Sequence, residues 1–115
     1  MISAAENNNL VLVEFDDRGD AGRIARVTFN NPEKRNALGV EGKQRFINAM
    51  TELRHDETLR ALILTGIGDK SFVGGSNLAD MRHYSPAEGH AASTKTHYAC
   101  DAVRTFPVPV IARIN

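Results

Sequence analysis

The sequence has little cysteine and no long apolar run. Its single cysteine, Cys100, cannot form a disulfide within the chain. Because Cys100 falls inside a predicted helix, we expect a buried and unreactive thiol. No apolar stretch approaches the roughly 18 residues of a membrane-spanning helix, and the first residues, MISAAENNNL, lack the basic start and apolar core of a secretory signal. These absences favour a cytoplasmic protein with no membrane partner.

Neither sign of charge predominates, since 14 lysines and arginines balance 14 acidic residues. This balance argues against the broad basic surface of a nucleic-acid-binding protein, so no nucleic-acid partner is expected. The apolar share of 42% and the length of 115 residues are ordinary for one globular domain. We therefore expect a flexible lead at residues 1–9 and one domain over residues 10–115.

The periodicity of apolar residues predicts an α/β pattern. Strands are predicted at 10–15, 24–30, 61–65 and 110–114, and helices at 40–54 and 85–106. The first two strands are expected to form a hairpin. The first helix should bury one apolar stripe and hold Lys43 on its outer face. The strand at 61–65 is expected to be covered on both faces.

A glycine-rich loop follows the third predicted strand, in TGIGDKSFVGGSNLADM at 65–81. Gly74 and Gly75 allow the main chain to approach a ligand closely. Asn77 is a suitable N-cap for a short helix that starts after it. The backbone amide of Ser76 would then lie beside a helix N-terminus, where it could stabilise negative charge developing on a carbonyl oxygen.

Other interpretations of this region have to be weighed. A Walker phosphate loop needs adjacent Gly and Lys, which Asp69 separates here, and a dinucleotide loop needs glycine where Ser71 stands. A plain tight turn accounts for the glycines alone. Three histidines are spaced by seven residues, whereas zinc-binding helices use spacings of three or four, so no metal site is expected; they are His83, His90 and His97.

Three segments in order resemble the crotonase (enoyl-CoA hydratase/isomerase) family. They are VTFNNPEKRNAL (27–38), RALILTGIGDKSFVGGSNLADM (60–81) and PVPVIARIN (107–115). The resemblance implies a crotonase-like superhelix of strand-strand-helix units, of which this chain supplies the first. It also implies a trimer or hexamer.

The same resemblance implies how a coenzyme A thioester would bind. The Ser76 amide would be one donor of an oxyanion hole, with the second donor and the acid/base residues lying beyond residue 115. The coenzyme A-binding positions would be Lys34, Arg35, Ala37, Gly74, Gly75, Asn77 and Leu78. Asn77 departs from the aspartate usual in the family, which puts a charged role there in doubt. Leu78 and Met81 would line the acyl pocket or the core, and the core is favoured.

Hydration of a 2-enoyl-CoA is the first reaction expected, within a broader class of acyl-CoA lyases and isomerases. No cofactor is expected, because coenzyme A is part of the substrate. The alternative is a catalytically incomplete fragment that only binds coenzyme A or a partner. Acidic residues elsewhere, such as Asp56 and Glu57, are expected to be solvated surface charges.

Overall fold

The computed structural model describes residues 9–115, and the predicted flexible lead therefore lies, apart from Asn9, outside the described residues. The elements, in chain order, are β1 (Val11–Asp17), β2 (Arg23–Phe29), α1 (Val40–Leu53), β3 (Leu59–Gly66), α2 (Leu78–Met81), α3 (Pro86–Arg104) and β4 (Val110–Arg113). Each strand and long helix predicted from the sequence is present, with ends that differ by one or two residues. Short 3-10 turns at Gly19–Ala21 and Pro32–Lys34 follow β1 and β2.

The described strands form one sheet in the order β1-β2-β3-β4. The predicted hairpin is confirmed, because β1 and β2 pair antiparallel with Val13 opposite Val27. The next two pairings are parallel, with Val27 opposite Leu64 and Leu64 opposite Ala112. Parallel neighbours require crossover connections, which α1 and α3 provide.

The core lies between one face of the sheet and α1. Alternate residues of each strand point to this face, so Val27 and Leu62 are completely buried there. Phe46 of α1 packs on Phe29 with ring centroids 5.3 Å apart. Each such side chain contributes about 1.5–3 kcal/mol when fully buried. On the opposite face Thr65 is buried and Ile63 is half-buried, so β3 is fully covered on one face and partly covered on the other.

Lys43 is buried, with 7% of its surface exposed, and the prediction that it lies on the outer face of α1 is wrong. The physical reason is spacing. Lys43 precedes Phe46 by three residues and Met50 by seven, so it occupies the same helical stripe as the core residues. A charged side chain is usually exposed to solvent, but the position of Lys43 on α1 places it in the interior.

Two other burial predictions are wrong. Cys100 is exposed, because α3 packs through Ala99, Ala102 and Val103 and Cys100 lies off that face. Leu78 and Met81 are 73% and 46% exposed, so they do not belong to the core of residues 9–115. The single-turn helix α2 holds them at the surface.

The predicted helix start at residue 85 is confirmed. The Ser85 hydroxyl accepts a hydrogen bond from the Glu88 amide, and the Glu88 carboxylate accepts one from the Ser85 amide. This reciprocal pair satisfies two donors that the first turn would otherwise leave free. None of the helices in residues 9–115 is both long and apolar enough to cross a membrane.

Candidate functional site

Two loops meet at the carboxyl ends of β2 and β3. We call residues 30–39 the first loop and residues 67–77 the second loop. The Leu38 amide donates to the Gly75 carbonyl at 2.7 Å, and the Asn77 amide donates to the Leu38 carbonyl at 3.2 Å. These two bonds form an isolated parallel bridge between Leu38 and Ser76. The bridge fixes the second loop at the residue that the sequence singles out.

The bridge also determines the direction of the Ser76 amide. In a parallel bridge one residue bonds to both neighbours of its partner, and the partner's own amide points to the other side. Leu38 is the bonded residue here, so the Ser76 N–H points away from it. Within residues 9–115 this N–H donates to no acceptor. A half-buried, fixed and unused donor is therefore available to a ligand.

The helix dipole contributes less than the sequence suggests. Asn77 does cap α2, since its side-chain oxygen accepts from the Ala79 amide at 3.2 Å. However, α2 spans only the four residues Leu78–Met81. A single turn aligns few peptide dipoles, so the direction of the Ser76 amide matters more than the helix that follows it.

Asn36, which is not among the residues predicted for the site, holds the two loops together. Its side chain is 1% exposed. Its amide nitrogen donates to the Ser71 carbonyl at 3.0 Å and the Ile67 carbonyl at 3.3 Å, and its oxygen accepts from the Asn31 amide at 3.0 Å. Its φ of 59° is left-handed, which asparagine tolerates better than most residues. A signal was present, because asparagine next to a proline turn often bonds to the backbone.

The predicted coenzyme A-binding residues lie on these two loops and at the start of α2. Gly74 packs directly against the first loop, because a β-carbon there would lie 2.7 Å from the Arg35 carbonyl oxygen. Lys34 and Arg35 are exposed beside it, and Ala37 is half-buried. The structure therefore places two accessible cations next to the glycines of the second loop.

A cavity of about 260 Å³ opens beside Ser76, between α1, the second loop and α3. Its lining includes Leu38, Val40, Lys43, Ser76, Asn77, Met81, Tyr84, Ala92 and Thr96. Lys43 donates from Nζ to the Ser76 hydroxyl at 2.8 Å and to the Thr96 hydroxyl at 2.7 Å. Burial lowers the pKa of Lys43. The cavity thus combines an apolar lining with one buried amine.

A larger open cleft lies elsewhere, between β1 and α1, and it contains none of the predicted site residues. Asp56, just after the end of α1, contacts Thr58 and Arg23. The hydrogen bond from the Thr58 hydroxyl, at 2.6 Å, and the Arg23 guanidinium lower the pKa of Asp56 to about 2. This pair ties the end of α1 to the start of β2, which is a structural arrangement distant from Ser76.

The three evenly spaced histidines lie apart from this site and are exposed. His97 approaches the Asp101 carboxylate at 3.3 Å, one turn along α3. In the part of the chain that the structure describes, no group of three or more His, Cys, Asp or Glu side chains is arranged to hold a metal ion.

Comparison with known proteins decides the family. A family model described as enoyl-CoA hydratase/isomerase matches residues 19–115. The chain belongs to this family. The short-chain-enoyl-CoA hydratase of Clostridium acetobutylicum is 31% identical over 110 residues, which cover 96% of this chain and 40% of that protein. The crotonyl-CoA hydratase of Syntrophomonas wolfei is 31% identical over 93 residues, covering 81% of this chain and 36% of that protein.

Solved structures of enoyl-CoA hydratases superpose on this chain. The enoyl-CoA hydratase of Mycobacterium smegmatis superposes with a TM-score of 0.84 at 30% identity, over 93% of this chain and 40% of that one. The enoyl-CoA hydratase of Bacillus anthracis gives a TM-score of 0.79 at 24% identity, over 90% of this chain and 39% of that one. The predicted crotonase-like α/β fold is confirmed, and the chain spans about two fifths of the length of these relatives.

Proposed function

We propose that this family member binds a coenzyme A thioester and contributes the Ser76 amide as one donor of an oxyanion hole. The first reaction to test is hydration of a 2-enoyl-CoA, because two similar proteins carry the names short-chain-enoyl-CoA hydratase and crotonyl-CoA hydratase. Lys34 and Arg35 would contact the phosphates of coenzyme A, for which exposed cations are suited. Coenzyme A belongs to the substrate, so we propose no separate cofactor.

The observation that carries the proposal is the unused backbone N–H of Ser76, a residue that lines the cavity. The Leu38 bridge holds this donor in place before any ligand arrives. Charge that develops on a thioester carbonyl would therefore meet a donor that needs no reorganisation, which is the condition for electrostatic catalysis. The adjacent apolar lining would accept the acyl chain.

One observation favours a second candidate, a module that binds coenzyme A without turning over a substrate. The described lining of the cavity contains neither a carboxylate nor a histidine that could move a proton during hydration. Its titratable side chains are those of Lys43 and Tyr84. In this candidate the two loops would bind the ligand, and the proton-transferring groups would be missing.

Loss of the enoyl absorbance of crotonyl-CoA, followed with the purified protein, tests the first candidate. Ser76→Ala is a matched control, because it removes the hydroxyl and keeps the amide, and it should retain turnover. Tight binding of butyryl-CoA, together with no loss of crotonyl-CoA absorbance, would support the binding module instead. Failure of both thioesters to bind would reject both candidates.

Trimeric or hexameric assembly and a cytoplasmic location also belong to the proposal. Large apolar side chains that the described structure leaves exposed, such as Ile111 and Ile114 at 53% and 76%, are consistent with further packing. Light scattering on the purified protein tests the assembly, and a monomeric mass would contradict it.

A further inference from the structure

We propose that Lys43 and the Ser76 hydroxyl form an anion-binding end of the cavity, so that the preferred acyl group carries a carboxylate. This inference rests on the proposed function, since it concerns the acyl part of the same thioester. The observations are the hydrogen-bond inventory of Lys43, its lack of a counter-ion, and the size of the cavity.

The first observation is that Lys43 and the Ser76 hydroxyl each keep one hydrogen-bond donor unused within residues 9–115. An ammonium group has three hydrogens, and Lys43 uses two of them on the Ser76 and Thr96 hydroxyls. Thr96 donates its own hydrogen to the Ala92 carbonyl at 3.1 Å, so its hydroxyl has no hydrogen left for a ligand. The Ser76 hydroxyl accepts from Lys43, and its hydrogen has no acceptor within residues 9–115. Two donors on residues that line the cavity, one on Lys43 and one on Ser76, are therefore unused within residues 9–115.

The second observation is an uncompensated buried charge. Across residues 9–115, no carboxylate oxygen lies within 4.0 Å of the Lys43 amine. A buried ammonium without a counter-ion is costly, and this cost is what lowers the pKa of Lys43. A ligand carboxylate would supply the missing charge and favour the protonated amine. Charge-assisted hydrogen bonds of this kind are about twice as strong as neutral ones.

The third observation concerns which anion fits. The cavity volume of about 260 Å³ is below the roughly 300–1,000 Å³ typical of drug-sized ligands, so it suits a short acyl chain better than a nucleotide. Lys43 lies 2.8 Å from the Ser76 hydroxyl, and Ser76 also supplies the proposed oxyanion amide. The carboxylate and the thioester carbonyl would thus bind next to the same residue. This spacing favours a thioester of a short dicarboxylic acid over a phosphate group.

Calorimetric binding of glutaryl-CoA and pentanoyl-CoA tests the inference, because the two acyl groups have equal carbon counts and differ in the carboxylate. We expect glutaryl-CoA to bind at least about tenfold more tightly, the lower end of what a hydrogen bond to a charged group contributes. Lys43→Met keeps the side-chain length, removes the charge and should abolish this preference. Ser76→Ala should reduce the preference by a smaller factor.

Lys95→Met is the matched control. Lys95 also links α3 to α1, by donating to Gln44 at 2.7 Å, but it does not line the cavity. This variant should keep the preference for glutaryl-CoA. Circular dichroism and thermal melting establish that both variants fold.

Each contrary result has a distinct meaning. Binding of pentanoyl-CoA with no preference for glutaryl-CoA would overturn the inference and leave the proposed function standing. Equal weakening of both thioesters by Lys43→Met would place the amine against the common coenzyme A portion and would also overturn it. Absence of binding by either thioester would reject the proposed function itself.

Discussion

Replacing Asn36 by aspartate tests how the two loops are held together. The substitution keeps the size of the side chain and the oxygen that accepts from the Asn31 amide. It removes the two donors to the carbonyls of Ile67 and Ser71, at 3.3 and 3.0 Å, and brings a negatively charged oxygen against them. The site is 1% exposed, so water cannot readily replace the lost bonds.

The expected loss follows from those contacts. Leaving a buried polar group without a partner costs about 1–3 kcal/mol, and two carbonyls are affected. We therefore expect Asn36→Asp to lower the free energy of unfolding by about 2–6 kcal/mol at neutral pH. For a chain of this size, this corresponds to a fall in Tm of roughly 10–30 °C. The deficit should shrink on acidification, because a protonated aspartate regains one donor and no longer repels the carbonyls.

Urea denaturation followed by circular dichroism measures this change. Asn48→Asp is the control, because Asn48 is exposed on α1 and its oxygen only accepts from Gln44 at 2.8 Å. It should stay within about 0.5 kcal/mol of the parent protein. If Asn36→Asp were as stable as Asn48→Asp, the claim that this side chain joins the loops would be refuted.

Three further predictions concern separate parts of the structure. The pKa of Asp56 lies at about 2, below its usual value, so its stabilising effect is present above about pH 4 and is lost as pH falls through 2. Asp56→Asn should thus be less stable than the parent at pH 7 and equal to it near pH 1.5. Urea denaturation at each pH measures this, and a difference in unfolding free energy that does not change with pH would contradict it. Gly74→Ala should lower Tm, since its methyl group would meet the Arg35 carbonyl oxygen at 2.7 Å. Gly89→Ala meets nothing within 4 Å and should stabilise α3 by about 0.5–1 kcal/mol. Equal Tm values for the two variants would refute the close approach of Gly74 to the first loop. Lys34→Gln with Arg35→Gln should weaken coenzyme A binding most at low salt and leave Tm unchanged, and unchanged affinity at low ionic strength would remove these cations from the site.

Local patterns in the sequence predict the elements of the fold well. Alternation in IARVTFN identifies β2, and Ser85 with Glu88 marks the start of α3, because both signals depend on residues close together in the chain. The Asn77 cap was also predictable, since an N-cap bonds to an amide only two residues away. The family resemblance adds the order in which these elements assemble.

Contacts between residues far apart in the chain are not predictable from local patterns. The bridge that directs the Ser76 amide joins residues 38 positions apart, and no local pattern indicates it. Lys43 was assigned to the surface by its charge, although its spacing from Phe46 and Met50 places it in the core stripe. Its hydroxyl partner Thr96 lies 53 residues away on another helix, so the hydrogen bonds of the buried amine, unlike its burial, could not be predicted from local spacing.

The amide resonance of Ser76 during an NMR titration with pentanoyl-CoA tests most directly whether this amide is an oxyanion donor. Asn77 provides an internal reference, because its amide already donates to the Leu38 carbonyl at 3.2 Å. If the thioester carbonyl docks on the free donor, the Ser76 amide proton should move downfield and saturate with the ligand, while the Asn77 proton changes little. A Ser76 proton that stays in place while the thioester is bound would contradict the assignment of this amide to an oxyanion hole.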